Sequence, residues 1–444
     1  MSQRQISRSS AVPLATRAGR LRSTKTGSPL ASALLFLALV SILPASLPAQ
    51  KNSCLDCHRE LGDKLRAPAE AMAGDIHGQF GLSCADCHGG NPLEEDMERA
   101  KDRSFKGVPP RTRIPEFCGA CHADGAFMRR FNPNLRIDQL NLYWTSQHGQ
   151  LLKKGDDKVA TCTDCHGVHG IHAASFPKSW TFAWNIPQTC GRCHSDRDYM
   201  RPYGLPADQV EEYKASVHAQ ALYEKKDLSA PVCNDCHGNH GAAPPEVSSV
   251  AFVCRQCHPS AGDLFSRSPH RAAFDGLGIS ECEACHGNHR VLRPSDDMLA
   301  GGSQDVCLRC HDAETNPYRV GKEIKRLVDA FVASYENAEA LLSAAEKKGV
   351  EVSPAKFKLQ EANTAIIHLR NLTHTLSISE VEAKLKDGDM VLAEVKASGQ
   401  RALEEARFRR TGLIVATVFL LLLAVAISIK LRDLRRSSGP EEQT

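Results

Sequence analysis

Cys162-Thr163-Asp164-Cys165-His166-Gly167-Val168-His169-Gly170 holds one copy of the pattern that decides how this chain is read. Its core, Cys-x-x-Cys-His, occurs nine times. The copies are Cys54, Cys57 and His58; Cys84, Cys87 and His88; Cys118, Cys121 and His122; Cys162, Cys165 and His166; Cys190, Cys193 and His194; Cys233, Cys236 and His237; Cys254, Cys257 and His258; Cys282, Cys285 and His286; and Cys307, Cys310 and His311. Together they use all 18 cysteines. Two thiols three positions apart can each form a thioether to one vinyl group of a haem, and the histidine that follows ligates the iron. The expected cofactor is haem c, nine per chain, covalently attached.

Two other chemistries use paired cysteines. A zinc ribbon does not require histidine after each second cysteine, and a disulfide framework does not require a fixed two-residue gap. The motifs span Cys54 to His311, which leaves about 29 residues per haem, too few for nine separate side-chain cores. The porphyrins are therefore expected to form much of the interior, packed close and separated by thin loops. The fold predicted for this part is mainly α with extensive irregular loops, a haem-packed array. Linkers such as Gly241-Ala-Ala-Pro244-Pro245 predict short helices and few, small strands. Folding should depend on cofactor attachment.

The motifs alternate in type. Those ending at His88, His166, His237 and His286 are followed by glycine, and each is succeeded by a plainer motif at Cys118, Cys190, Cys254 or Cys307. Upstream of each glycine type lies another histidine, at His77, His148, His218 or His270. This makes four two-haem repeats, near residues 75–125, 145–200, 215–260 and 268–312, with a single leading motif at Cys54. Such repetition implies units whose neighbours complete each other's cores.

Of 19 histidines, nine are proximal ligands and ten remain. The candidate second iron ligands are His77, His148, His169, His218, His240, His270, His289 and His374. The methionines of the haem region, Met72, Met97, Met128, Met200 and Met298, recur at no repeated position. His169, His240 and His289 lie three residues beyond a proximal histidine, too close to reach round to the far face of the same porphyrin. They are expected on a neighbouring haem's iron. His148, His218 and His270 precede their motifs by 12 to 15 residues, chain enough to reach a distal face. His172 is a weaker candidate because His169 fills the recurring slot. His368 and His374, six residues apart on a predicted helix, point about 120° away from each other, and His374 is the preferred ligand.

Residues 1–49 read as a signal peptide, with six basic residues, no acidic ones and a largely apolar run from Leu30 to Leu43. Its removal takes the formal net charge from +3 to −3. Haem propionates add negative charge, so nothing here suggests nucleic-acid binding. Residues 50–317 form the predicted nine-haem domain and 318–410 a helical stalk. In the stalk, Ile324, Leu327, Val328, Phe331, Val332, Tyr335, Leu341 and Leu342 have amphipathic spacing. A first helix should stop near Gly349. A second should run from Ser353-Pro354 to about Leu376. A third should open on a capping box, Ser377-Ile-Ser-Glu380, and run straight into the membrane span, with a break at Gly388 or Gly399 as one alternative. Residues 411–430 predict one C-terminal transmembrane helix in contact with the lipid bilayer, and 431–444 a cytoplasmic tail. Haem c is attached outside the bacterial cytoplasm, so the expected placement is a single-pass inner-membrane protein with its haem domain in the periplasm.

The doubled motifs, His148, His218, His270 and the Cys-His-Gly-x-His segments resemble the bacterial multihaem c-type cytochromes grouped with the cytochrome c3 and c7 type, over about residues 54–312. The resemblance implies a carrier of electrons between a membrane, quinone-linked donor and periplasmic or outer-membrane acceptors. The implied partners are a quinol-oxidising subunit or other cytochromes. The competing expectation is a reductase or dehydrogenase of a small nitrogen or sulfur compound at one open haem. No motif here replaces histidine by lysine, as multihaem nitrite reductases do. Tyr143 and Tyr199 leave room for the tyrosine cross-link of hydroxylamine-oxidising relatives. The first motif, with no histidine before it, is where an open iron is expected.

Overall fold

The computed structural model describes residues 52–243 and 253–437. The expected signal segment, part of the Gly241–Pro245 linker and the end of the C-terminal tail lie outside them. The described residues divide between a string of short helices carrying the motifs and three long helices after Thr315.

Each motif except the last sits on a short α-helix, as at Ser53–Glu60, Ile114–His122, Cys162–His166 and Ile186–His194. Helical pitch explains the spacing: residues three and four apart share a face, so both thiols and the histidine point the same way. The aspartate between the cysteines caps three of these helices. Asp86, Asp164 and Asp235 accept from the backbone N–H of Ser83, Thr161 and Val232 at 2.7, 2.7 and 2.8 Å. Ile114-Pro115 and Ile186-Pro187 place proline in the first turn, where its missing N–H costs nothing.

No strand occurs among the described residues, although a few small ones were expected. Single backbone bonds take their place. Ile76 N–H donates to Ile171 C=O (2.7 Å), Gln147 to Ala242 (2.9 Å) and Val217 to Val291 (2.8 Å). Each joins the start of one repeat to the segment two residues past the slot histidine of the next, so neighbouring units are stapled at one point rather than by a ladder. Side-chain cores here are small: Tyr143, Leu152 and Val159 in one unit, and Tyr213, Ala219, Leu222, Ala230 and Val232 in the next. The two tyrosines are equivalent, with hydroxyls donating to Ala160 C=O (3.0 Å) and Pro231 C=O (2.9 Å). So little buried apolar surface agrees with an interior completed by haem.

The predicted stalk is a three-helix bundle, Asn316–Glu346, Ser353–Leu372 and Ile378–Ser437. Ile324, Val328, Phe331, Leu342, Leu369, Val381, Leu392 and Val395 form its core. The third helix does not break. Its buried positions, Val381, Leu385, Gly388, Leu392, Val395, Gly399, Ala402 and Ala406, alternate steps of four and three, the period of a coiled-coil seam. Both glycines are sites of close approach: a Cβ on Gly388 would lie 2.5 Å from Phe331, and one on Gly399 3.1 Å from Leu341. The capping box is only half made. Ser377 Oγ accepts from Glu380 N–H (3.3 Å), while the Glu380 carboxylate turns to Arg267 (3.1 Å). The second helix ends earlier than expected, at Leu372. Thr373–Thr375 form a 3-10 turn closed by Leu376 in the left-handed region (φ 54°).

The bundle is docked on the motif array. Arg370 makes a bidentate pair with Asp296 (3.0 and 2.6 Å), Tyr318 OH donates to Asp305 (2.8 Å), and a Cβ on Gly321 would lie 3.6 Å from Cys307 Sγ. Burial on the third helix stops at Ala406, and Leu413 to Ile429 expose their side chains along a stretch long and apolar enough to cross a membrane. The helix has 60 residues, or about 90 Å at 1.5 Å per residue.

Candidate haem-ligand sites

The glycines of the four glycine-type motifs, Gly89, Gly167, Gly238 and Gly287, have φ of 69°, 87°, 80° and 73°. Only glycine adopts this conformation readily. It ends the motif helix and turns the chain out, which carries His169, His240 and His289 away from their own motifs. The upstream histidines ride on short helices whose N-cap lies two residues earlier, and for His77, His148 and His218 the side chain of that residue caps the helix, whereas Ser268 before His270 makes no such bond. Ser146 Oγ accepts from Gly149 N–H (2.9 Å) and Ser216 Oγ from Ala219 N–H (3.1 Å). In the first repeat the capping residue is Asp75, whose Oδ1 accepts from His77 N–H (2.8 Å).

Eight proximal histidines each face a second histidine. The plain motifs pair within their repeat: His122 with His77 at 6.0 Å between ring centroids, His194 with His148 at 6.2 Å, His258 with His218 at 6.5 Å and His311 with His270 at 5.8 Å. The glycine-type motifs pair with the following unit: His88 with His169 at 6.2 Å, His166 with His240 at 6.0 Å and His237 with His289 at 6.0 Å. His286, in the last repeat, faces His374 of the bundle at 6.1 Å. Two imidazoles bound to one metal from opposite sides, with metal–nitrogen bonds of about 2.0 Å, bring their centroids roughly 6.3 Å apart. The residues fit haem.

His169, His240 and His289, expected on a neighbouring haem's iron, each stand beside the proximal histidine of another motif. The upstream histidines differ from expectation: His148 faces His194 and not the nearer His166, and His218 and His270 likewise skip one motif. The inter-repeat staples explain it, because they bring the slot histidine of the next unit onto the nearer motif. His374 lies on the 3-10 turn, His368 is exposed on the second bundle helix, and His172 packs at a tilt against Phe176, 4.9 Å between ring centroids. His58 faces no second histidine among the described residues.

Hydrogen bonds set the tautomers. Nδ1–H of His77 donates to Asp75 Oδ1 (2.9 Å), of His88 to Gly107 C=O (2.9 Å), of His374 to Asn371 C=O (2.9 Å) and of His58 to Leu65 C=O (3.3 Å). Each leaves the Nε2 lone pair for a metal. Nε2 of His270 and of His311 point at each other, 3.5 Å apart. Burial pushes the imidazoles of His122, His148, His169, His194 and His286 down, and that of His166 to about 4. Neutral imidazole is the ligating form.

The thiols give the order of the sites. Cys118 contacts Cys162, Cys190 contacts Cys233 and Cys254 contacts Cys282. Cys54 is close enough to influence Cys84, Cys121 to influence Cys87, Cys190 to influence Cys165, Cys254 to influence Cys236 and Cys310 to influence Cys285. Consecutive motifs are thus neighbours in space along the chain. All 18 cysteines are free of disulfides, and no group of His, Cys, Asp or Glu among the described residues forms a separate metal site. Tyr143 and Tyr199 spend their hydroxyls on the carbonyls of Ala160 and Lys158.

A mainly helical array of paired histidines behind Cys-x-x-Cys-His motifs defines a multihaem c-type cytochrome carrying covalently bound haem c. The comparisons agree: residues 76–195 match the family described as cytochrome c3, and residues 277–316 match the doubled CXXCH motif. The chain is also similar to the cytochrome c-type protein NrfB of Escherichia coli O6:H1 (strain CFT073). The two are 24% identical over 165 residues, which is 36% of this chain and 68% of that protein.

Proposed function

We propose that the chain is a membrane-anchored periplasmic nonahaem cytochrome that carries electrons between a membrane, quinone-linked donor and periplasmic or outer-membrane acceptors. The eight facing histidine pairs carry this reading. His77, His148, His169, His218, His240, His270, His289 and His374 would supply the second ligand to eight irons and close them to substrate. Haem c supplies one-electron iron(III)/iron(II) exchange at potentials set by ligation and burial. The protein's part is to hold each ligand pair, fix its tautomer and keep successive motifs adjacent. Linear order suits conduction along one path, from the Cys307 end beside the bundle to the Cys54 end.

Haem c attachment outside the cytoplasm supports a periplasmic array, and the basic residues Lys430, Arg432, Arg435 and Arg436 after the span support a cytoplasmic C-terminus. The bundle then sits between membrane and array, where a quinol-oxidising subunit or another cytochrome would dock. Reductive titration of the detergent-solubilised full-length protein tests the reading. It predicts nine electrons per chain, all seen in haem absorbance; fewer than nine contradict it.

A further inference from the structure

The pairing follows two rules, and the first motif satisfies neither. A plain-motif histidine takes its partner 40 to 46 residues upstream in its own repeat, from the spacings 77 to 122, 148 to 194, 218 to 258 and 270 to 311. For His58 that window is Val12 to Ala18, and no histidine occurs before His58. A glycine-type histidine takes its partner from the slot three residues past the next glycine-type proximal ligand, or from His374 at the end of the array. For His58 that slot is position 91, three past His88, and it holds Asn91.

Asn91 sits where the rule places it. Its neighbour Pro92 accepts at the carbonyl from Ser53 N–H and Ser53 Oγ–H, both at 2.9 Å, so this loop is docked on the helix that carries Cys54 and His58. The Asn91 side chain is committed to its own turn, Oδ1 accepting from Leu93 N–H at 3.1 Å. An amide is also a poor haem-iron ligand beside imidazole. His58 itself is set for ligation, with Nδ1–H on Leu65 C=O and Nε2 free. Neither histidine outside the pairs faces His58: His368 is exposed on the bundle, and His172 packs at a tilt against Phe176, with Cε1 3.8 Å from where a Cβ on Gly74 would sit.

We propose that the haem held by Cys54, Cys57 and His58 keeps an exchangeable sixth iron position and binds a small neutral ligand from solution at the terminal end of the array. This rests on the nonahaem reading above and adds a ligand site to it. Eight sites are closed by histidine, and the ninth is the one point where the array meets small molecules directly.

The test is carbon monoxide added to the dithionite-reduced full-length protein in detergent, with EPR of the oxidised form. Binding should saturate at about one carbon monoxide per chain, with one high-spin ferric haem per chain in EPR. The double variant Cys54→Ser/Cys57→Ser should lose both signals and keep the low-spin haems. Absence of carbon monoxide binding and of high-spin haem in the wild type overturns the proposal, and His172→Ala or Met72→Ala then identifies the native ligand by creating a high-spin signal. Carbon monoxide binding that survives in the double variant overturns it as well. Fewer than nine haems by pyridine haemochrome refutes the nonahaem reading instead, and the two failures are thereby separate.

Discussion

Replacing Asp75 by asparagine should raise the potential of one haem by about 40–60 mV. Asp75 is 3% exposed and its carboxylate has three partners: Oδ1 accepts from His77 N–H at 2.8 Å and from His77 Nδ1–H at 2.9 Å, and Oδ2 accepts from Ile171 N–H at 2.8 Å. It is the one carboxylate within hydrogen-bond distance of a histidine ring among the described residues, since Glu212 stands 3.8 Å from His289. A carboxylate on the outer nitrogen makes the imidazole a stronger donor, which favours iron(III) over iron(II) and holds the potential down. A hydrogen bond to a charged group is worth roughly 1.5–3 kcal/mol against about 1 for a neutral one. Losing about 1–1.4 kcal/mol of preference for the oxidised state raises a one-electron potential by about 40–60 mV. The Asp75→Asn amide oxygen still accepts from His77 N–H and Nδ1–H while the charge goes, and its NH2 group cannot accept from Ile171 N–H, so that one inter-repeat bond is lost with the charge. EPR-monitored redox titration reads the shift in a single low-spin species. Ser146→Asn is the control, because Ser146 caps its helix without touching His148 and should leave every potential in place. No shift in Asp75→Asn, or a downward one, refutes the assigned role of the carboxylate.

Other variants probe the ligand pairs and the bundle. His374→Ala should leave His286 without its partner and create one additional high-spin haem by EPR, while circular dichroism shows an intact bundle. Gly167→Ala forces a Cβ onto a backbone at φ 87° and should cost about 1–2 kcal/mol in chemical denaturation, with altered g-values for the His88–His169 haem. Leu369→Ala empties a fully buried position between the bundle helices; a loss of about 2–5 kcal/mol by the usual cost of such deletions should appear as a lower melting temperature of the bundle. Deleting the chain from residue 411 onward should release a haem-loaded protein from the membrane fraction without detergent.

Much of the haem chemistry was legible because covalent attachment fixes a local spacing. A motif of five residues forms within one helical turn, so its cysteines and histidine are readable without knowing the fold. Recurrence also marked His169, His240 and His289, and His374 was preferred over His368. The partners of His148, His218 and His270 were not legible. They depend on single backbone bonds between segments far apart in sequence, such as Ile76 to Ile171, which leave no periodic trace. The aspartate two residues before His77 matches the serines before His148, His218 and His270, and that shared capping position was a readable signal for the helices bearing these ligands. In the bundle, helix starts and stops followed from Gly349 and Ser353-Pro354. Gly388 and Gly399 left a break open as an alternative to a continuous helix because glycine in a helix reads as a weak point, whereas here each lets another helix approach closely.

The central claim is that histidine closes all but one of nine irons. Near-infrared magnetic circular dichroism of the oxidised full-length protein, calibrated by pyridine haemochrome, measures it directly. The pairing predicts nine haems per chain, with the bis-histidine charge-transfer band accounting for eight. A substantial histidine–methionine band, or more than one high-spin haem, would contradict it.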